Sequence, residues 1–362
     1  MIPLVKTYLP EPEKLMPELE RVLYSGYIAQ GEEVENFEKA LSNYIGNPYV
    51  VTVNSGSSAL HIALILAGVK QGDEVISTPL TAEPTNTVIS QTGAKIIWAD
   101  IDPKTGNACP ADVLSKVTEN TKAIVVVDYA GIPVDVKAFQ DIQNKTGVTV
   151  IQDSAHAFGA SYDGSKLGNH FDFTIFSFQA IKHMTTIDGG LLCVNNKTRF
   201  EEAKLIRWFG LDKSISRDKN LITTQGYKYH MNDVNATVGL VQLQGIDDVI
   251  RKYIDNGKFY DRELQGIDGL DLLEIDSKSE PSYWLYTIKV RDRDAFIKKL
   301  HSHGIMASPL HKRNDLHPLL GKVNDSLPNL EEFSKTWVHI PCGWWVDEAS
   351  RQKIVSVIKG GW

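Results

Sequence analysis

Leu15, Leu19 and Leu23 recur every four residues through P-E-P-E-K-L-M-P-E-L-E-R-V-L, a helix-period stripe, and residues 11–47 read as helical. Gly26 and Gly31 interrupt that stretch, and E-E-V-E-N-F-E-K-A-L-S-N-Y-I then starts a second amphipathic helix. The pattern changes at Tyr49–Asn54, where Y-V-V-T-V-N predicts a buried strand. It runs through S-G-S-S into A-L-H-I-A-L-I-L-A, an apolar helix. D-E-V-I-S-T-P-L-T and A-K-I-I-W-A-D-I-D predict strands on either side of a helix from about Glu83 to Gln91. Further strands are expected in 123–131, in 148–159, in the run opening at Phe173, and in G-L-L-C-V-N. Strands alternating with helical segments predict βαβ units and a mostly parallel sheet, an α/β architecture. From about Gly245 the texture shifts to charged helices and short strands such as Y-W-L-Y-T-I-K-V. The expectation is a large domain over 1–244, N-terminal helices included, and a smaller α+β domain over 245–362.

Composition narrows the function classes. Hydrophobic residues at 42% and charged residues at 23% are ordinary for a soluble globular protein. A formal charge of −7 argues against nucleic-acid binding as a main activity. The three cysteines, Cys109, Cys193 and Cys342, form no C-x-x-C pair, which excludes a zinc ribbon and argues against a disulfide framework. No apolar run approaches 18 residues and no charged-then-apolar leader opens the chain, so a soluble cytoplasmic protein without membrane partners is expected.

In open α/β sheets, ligands gather beyond the carboxyl ends of the strands. Gly56, Tyr129, Asp153, His156 and Lys182 all fall at such ends, so one pocket can be built from them. Lys182 follows the strand of F-T-I-F-S-F-Q-A-I-K-H-M-T-T-I-D-G-G. Burial lowers an amine's pKa, and only the neutral amine attacks an aldehyde, so this is a setting for a Schiff-base lysine. A loop lysine snorkelling to water fits the same segment. The S-G-S-S turn offers backbone N–H groups at a helix start, an anion site, although a plain serine N-cap reads the same way. No G-K-[ST] or G-x-G-x-x-G follows it. Asp153 ends a strand and wants a cationic partner, for which a protonated pyridine nitrogen would serve; a turn cap would also account for it. His156 suits either a ring contact or a satisfied core histidine. Together, the turn, the aspartate and the lysine match the phosphate, ring nitrogen and aldehyde of pyridoxal phosphate.

Over nearly its whole length the chain resembles the DegT/StrS family of nucleotide-sugar aminotransferases, fold-type I pyridoxal-phosphate enzymes. The resemblance is carried by N-S-G-S-S-A-L-H-I-A-L, G-D-E-V-I-S-T-P-L-T, Q-D-S-A-H-A-F-G, F-S-F-Q-A-I-K-H-M-T-T-I-D-G-G and, less closely, G-Y-K-Y-H-M-N-D-V-N-A-T-V-G-L-V-Q-L. It implies that Lys182 forms the Schiff base and then shuttles protons, and that Asp153 pairs with the pyridinium while His156 lies near the ring. It gives the phosphate to Gly56, Ser57 and Ser177. It also implies a homodimer with shared active sites, in which Lys228 of the G-Y-K-Y segment reaches the neighbouring phosphate. Lys228 stands where asparagine is usual, His230 where arginine is common, and Ala82 where an aromatic often stacks on the cofactor.

Relatives that remove a sugar hydroxyl carry histidine in place of the lysine, so Lys182 favours the aminotransferase branch. T-T-I-D-G-G resembles the enzymes that aminate carbon 4 of a 4-keto-6-deoxy sugar. Glutamate is the expected amino donor, a nucleotide-linked keto sugar the acceptor, and amino-sugar and surface-polysaccharide (O-antigen) biosynthesis the setting. Arg207, Lys213, Arg217, His311 and Arg313 are candidate cations for a diphosphate at the pocket mouth. The alternatives are an aminotransferase for a keto-cyclitol or triose phosphate, and a regulator that binds the cofactor without turnover.

Overall fold

The computed structural model describes residues 1–321 and 326–362. The N-terminal stretch folds as two helices, Pro12–Leu23 and Glu32–Ile45. The second begins under a remote cap: Asp233 Oδ1 accepts from the amides of Gly31 and Val34. A carboxylate there complements the helix dipole.

A seven-stranded sheet carries the fold. Its strands are β1 (Val50–Val53), β2 (Glu74–Ser77), β3 (Lys95–Trp98), β4 (Thr121–Val127), β5 (Thr149–Asp153), β6 (Phe173–Ser177) and β7 (Gly190–Val194). They lie in the order β1-β7-β6-β5-β4-β2-β3. Every pairing is parallel except those of β7, which runs against both β1 and β6. The chain returns from Ser177 to Gly190 through a loop without a crossover helix, the element that usually carries a chain back to a parallel neighbour, and β7 pairs antiparallel.

Side chains alternate across this sheet. Val50, Ile124, Val126, Val150 and Phe176 join one apolar cluster, and Val51, Val125, Ile151 and Ile175 join the cluster on the other face. Both faces are therefore covered, which explains why the strands read as continuous apolar runs. Each such side chain contributes about 1.5–3 kcal/mol by its burial, and a charge at Val125 would break the layer.

The C-terminal part holds an antiparallel sheet of Leu270–Leu272, Tyr286–Val290 and Trp337–Ile340. The expected strand at Tyr283–Val290 starts later, at Tyr286. Residues 282–285 instead tie to the turn beyond β4, with Ser282 N–H donating to Gly131 O and Leu285 N–H to Ala130 O. The first residues of the chain also dock here: Ile2 N–H donates to Gly304 O, and Trp345 Nε1 to Pro3 O. Helix Ile246–Glu263 places Val249 and Tyr253 in the core of the large sheet and Tyr260 in the C-terminal core. We propose the domain division at its start, Gly245, with this helix as the joint.

Candidate active site

The parallel strands bring their carboxyl ends to one edge, and a pocket of about 420 Å³ opens there. After β1, Ser55 caps helix Gly56–Leu66, its hydroxyl accepting from the Ser58 amide at 3.1 Å. The Gly56 and Ser57 amides lie in the first turn, where no intrahelical acceptor exists, so they and the helix dipole suit an anion. A Cβ on Gly56 would lie 3.0 Å from Ser177 Cβ, so the turn and the end of β6 form one close-walled cradle. A Cβ on Gly190 would meet the Ser55 carbonyl at 2.5 Å and the Gly56 nitrogen at 2.6 Å. Only glycine lets β7 start against this turn, which gives the end of T-T-I-D-G-G a packing reason.

Asp153 closes β5 with its carboxylate buried. Oδ2 accepts from the Thr85 hydroxyl at 2.8 Å, and Oδ1 from the Ala155 amide at 3.1 Å. Burial raises its pKa, opposed by these two hydrogen bonds and by the charge of Lys182. Lys182 Nζ lies 3.8 Å from the centre of the Trp284 ring. Burial pulls its pKa down to about 7, partly offset by Asp153, so neutral amine is abundant at neutral pH. His156 is buried, lies near-parallel to Trp284 at 4.1 Å, and has no partner for Nδ1. Burial holds its pKa well below the ordinary value, with Lys182 adding to the effect.

Of the residues singled out from the sequence, Gly56, Ser57, Asp153, His156, Ser177 and Lys182 line this pocket. Lys228 does not; it is exposed on a segment whose neighbour Tyr229 accepts the Asn54 amide beside β1. Tyr129 turns away into the core, its hydroxyl 3.0 Å from His339 Nε2. Arg207 is no pocket-mouth cation, because it is buried against Glu38 and donates to Thr52 O. Arg313 pairs with Asp315 at 2.7 Å, and Lys213 lines a separate cleft over Trp208. Arg217 is exposed and does not line the pocket. Of the five candidate cations, His311 alone lines it.

Sequence reasoning missed Thr85 and Trp284. Thr85 carried a usable signal, a hydroxyl in the first turn of a helix that starts at the same sheet edge. Trp284 carried none, since it belongs to the C-terminal part. Ala82 lines the pocket without an aromatic ring, and the aromatic lining comes from Trp284, with the imidazoles of His156 and His311.

The residues fit pyridoxal phosphate. An anion cradle, a buried carboxylate wanting a cation, an unpartnered imidazole nitrogen and an amine held near neutrality converge on one cavity. Fold and site define a fold-type I, pyridoxal-phosphate-dependent aminotransferase. The model of the DegT/DnrJ/EryC1/StrS aminotransferase family matches residues 11–359, and the chain belongs to that family. It is 31% identical over 336 residues to a UDP-4-amino-4,6-dideoxy-N-acetyl-beta-L-altrosamine transaminase of Campylobacter jejuni, covering 90% of this chain and 88% of that one. The crystal structure of AtS13 from Actinomadura melliaura superposes with a TM-score of 0.97 at 40% identity, covering 100% of this chain and 99% of that one. The PLP form of the putative sugar aminotransferase Spr1654 from Streptococcus pneumoniae has a TM-score of 0.90 at 26% identity, with 99% and 98% covered.

Proposed function

We propose that this enzyme moves an amino group from glutamate to carbon 4 of a nucleotide-linked 4-keto-6-deoxy sugar, in the cytoplasm, for amino-sugar and surface-polysaccharide synthesis. The observation that carries the reading is the Lys182 amine enclosed in the same pocket as the buried Asp153 carboxylate. The name of the Campylobacter relative, a transaminase of a UDP-linked 4-amino-4,6-dideoxy sugar, supports the substrate class. A homodimer is supported by large apolar side chains left exposed at Leu23, Tyr24, Tyr27 and Ile28 and again at Phe209, Leu221 and Ile222. Lys228, outside the pocket of its own chain, would serve the phosphate in the pocket of the partner subunit.

Gly56 and Ser57, with the Ser177 hydroxyl, would hold the phosphate; Asp153 would hold the ring nitrogen and His156 would lie against the ring. When bound, pyridoxal phosphate supplies an aldehyde that takes up the amine and a ring that delocalises the electron pair left by a departing proton. Asp153, ordered by the Thr85 hydroxyl and the Ala155 amide, would present its carboxylate to the protonated ring nitrogen. Lys182 accepts a proton at Nζ and returns it to a carbon in the same cavity, a transfer suited to an amine titrating near pH 7.

The test is a stopped-flow scan of the holoenzyme with glutamate, followed by a panel of ketones. Loss of the aldehyde-form absorbance and turnover of a nucleotide-linked 4-keto sugar are expected. Turnover of a triose phosphate or keto-cyclitol, with none of any nucleotide-linked sugar, would refute the substrate assignment.

A further inference from the structure

The loop that carries Lys182 is gripped from both sides by a strap of the C-terminal part. Before the lysine, Ile181 O accepts from Trp284 Nε1 at 2.9 Å. After it, His183 Nε2 lies 2.9 Å from Ser282 O. A carbonyl only accepts, and burial drives the His183 pKa down to about 4, so His183 is neutral with its proton on Nε2. The strap is itself tied to the turn beyond β4 through the amides of Ser282 and Leu285, and Tyr283 Oη donates to Asp261 at 2.8 Å. Trp284 is buried, and the His156 ring packs near-parallel to it at 4.1 Å. Against this fixed indole rests the amine, 3.8 Å from the ring centre.

We propose that the indole face of Trp284 is a resting site for the protonated Lys182 amine, holding it beside the pocket between the steps in which the neutral amine reacts. The proposal rests on the reading of Lys182 as the Schiff-base lysine. Transamination frees that amine and recaptures it in every cycle, and a free lysine stem explores many rotamers. An aromatic face attracts an ammonium through its quadrupole, more strongly where water is excluded, so it restrains the stem without a competing negative charge. Trp284 is thus a positioning residue for the reacting nitrogen. The other groups that feel the Lys182 charge are Asp153, His156, His183 and His311, the last with Glu83 3.5 Å from its Nδ1. Asp153 favours the ammonium, whereas the histidines, when protonated, oppose it.

A space-filling tryptophan and an ammonium-binding one differ in their response to ring electronics. Site-specific insertion of mono- to tetrafluorotryptophan at position 284 keeps the shape and the Nε1–H bond while draining the ring face of negative charge. The readout is the pH profile of Lys182 acetylation in the full-length, cofactor-free protein, followed by peptide mass spectrometry. The Lys182 pKa is expected to fall stepwise with fluorine number, by about half a unit to one and a half units across the series. An unchanged pKa throughout would overturn the proposal. Borohydride reduction of the unmodified holoenzyme tests the underlying reading separately. A pyridoxyl tag on Lys182 supports it, and a tag on any other residue removes the basis of both.

Discussion

Replacing Thr85 with valine isolates one hydrogen bond at the floor of the pocket. Thr85 and Asp153 are 5% and 4% exposed, so little water reaches this bond. The Thr85 hydroxyl donates to Asp153 Oδ2 at 2.8 Å, and the Thr81 hydroxyl lies 3.1 Å away as its neighbour. Valine preserves the shape and removes the donor. A hydrogen bond to a charged group is worth about 1.5–3 kcal/mol, so the Asp153 pKa should climb by about one to two further units. Less carboxylate would then face the ring nitrogen. The expected result is a glutamate half-reaction about 10- to 100-fold slower by stopped flow, at saturating cofactor. Thr85→Ser keeps the hydroxyl and should recover most of the rate. The reasoning is refuted if Thr85→Val stays within about twofold of the parent, or if Thr85→Ser is as slow as Thr85→Val.

Further tests address the buried acid behind the site and the proposed sharing of the pocket between subunits. Asp128 is fully buried and accepts from the Val134 amide, Gln152 and Ser154, and desolvation pushes its pKa up to about 7. The folded state therefore keeps a proton that the unfolded chain releases near the ordinary carboxylate value. This contribution is fully present below that value and is lost as pH rises through about 7. Thermal melts of the cofactor-free protein should show a drop in stability from pH 5 to 8 that Asp128→Asn lessens; equal pH slopes would count against it. Co-expressing Lys182→Ala and Lys228→Ala chains tests the crossing of subunits. Hybrid dimers should regain one pocket with both lysines, measured as activity at limiting cofactor, whereas a Lys228 acting on its own chain would give no recovery.

The local chemistry of the site was legible because each piece is local in sequence. Glycine and serines at a strand-to-helix turn make an anion cradle whatever surrounds them. An acid at the end of an apolar strand has no water to face, and a lysine after the next strand stands beside it because sequential parallel strands pair. Tyr129 shows the limit of that logic. It follows a strand at the same edge, yet the turn beyond β4 sends its ring inward to His339. The rule of strand ends supplies position but not side-chain direction. Arg207 fails for a related reason, since a cation that reads as a surface charge is claimed by Glu38, a helix away.

Read alone, the sequence determined the alternation of buried strands and helices, the large parallel sheet, and the residues that stand where its strands stop. Hydrophobic periodicity and turn chemistry act over a few residues, so those features need no partner from elsewhere. Tertiary structure decided what encloses them. Trp284 and Ser282 brace the lysine from the C-terminal part, His311 alone of the expected cations reaches the pocket, and Gly190 is forced by the turn after Val53. These contacts join segments far apart along the chain, and burial and close packing, which set the amine near neutrality, exist only once those segments meet.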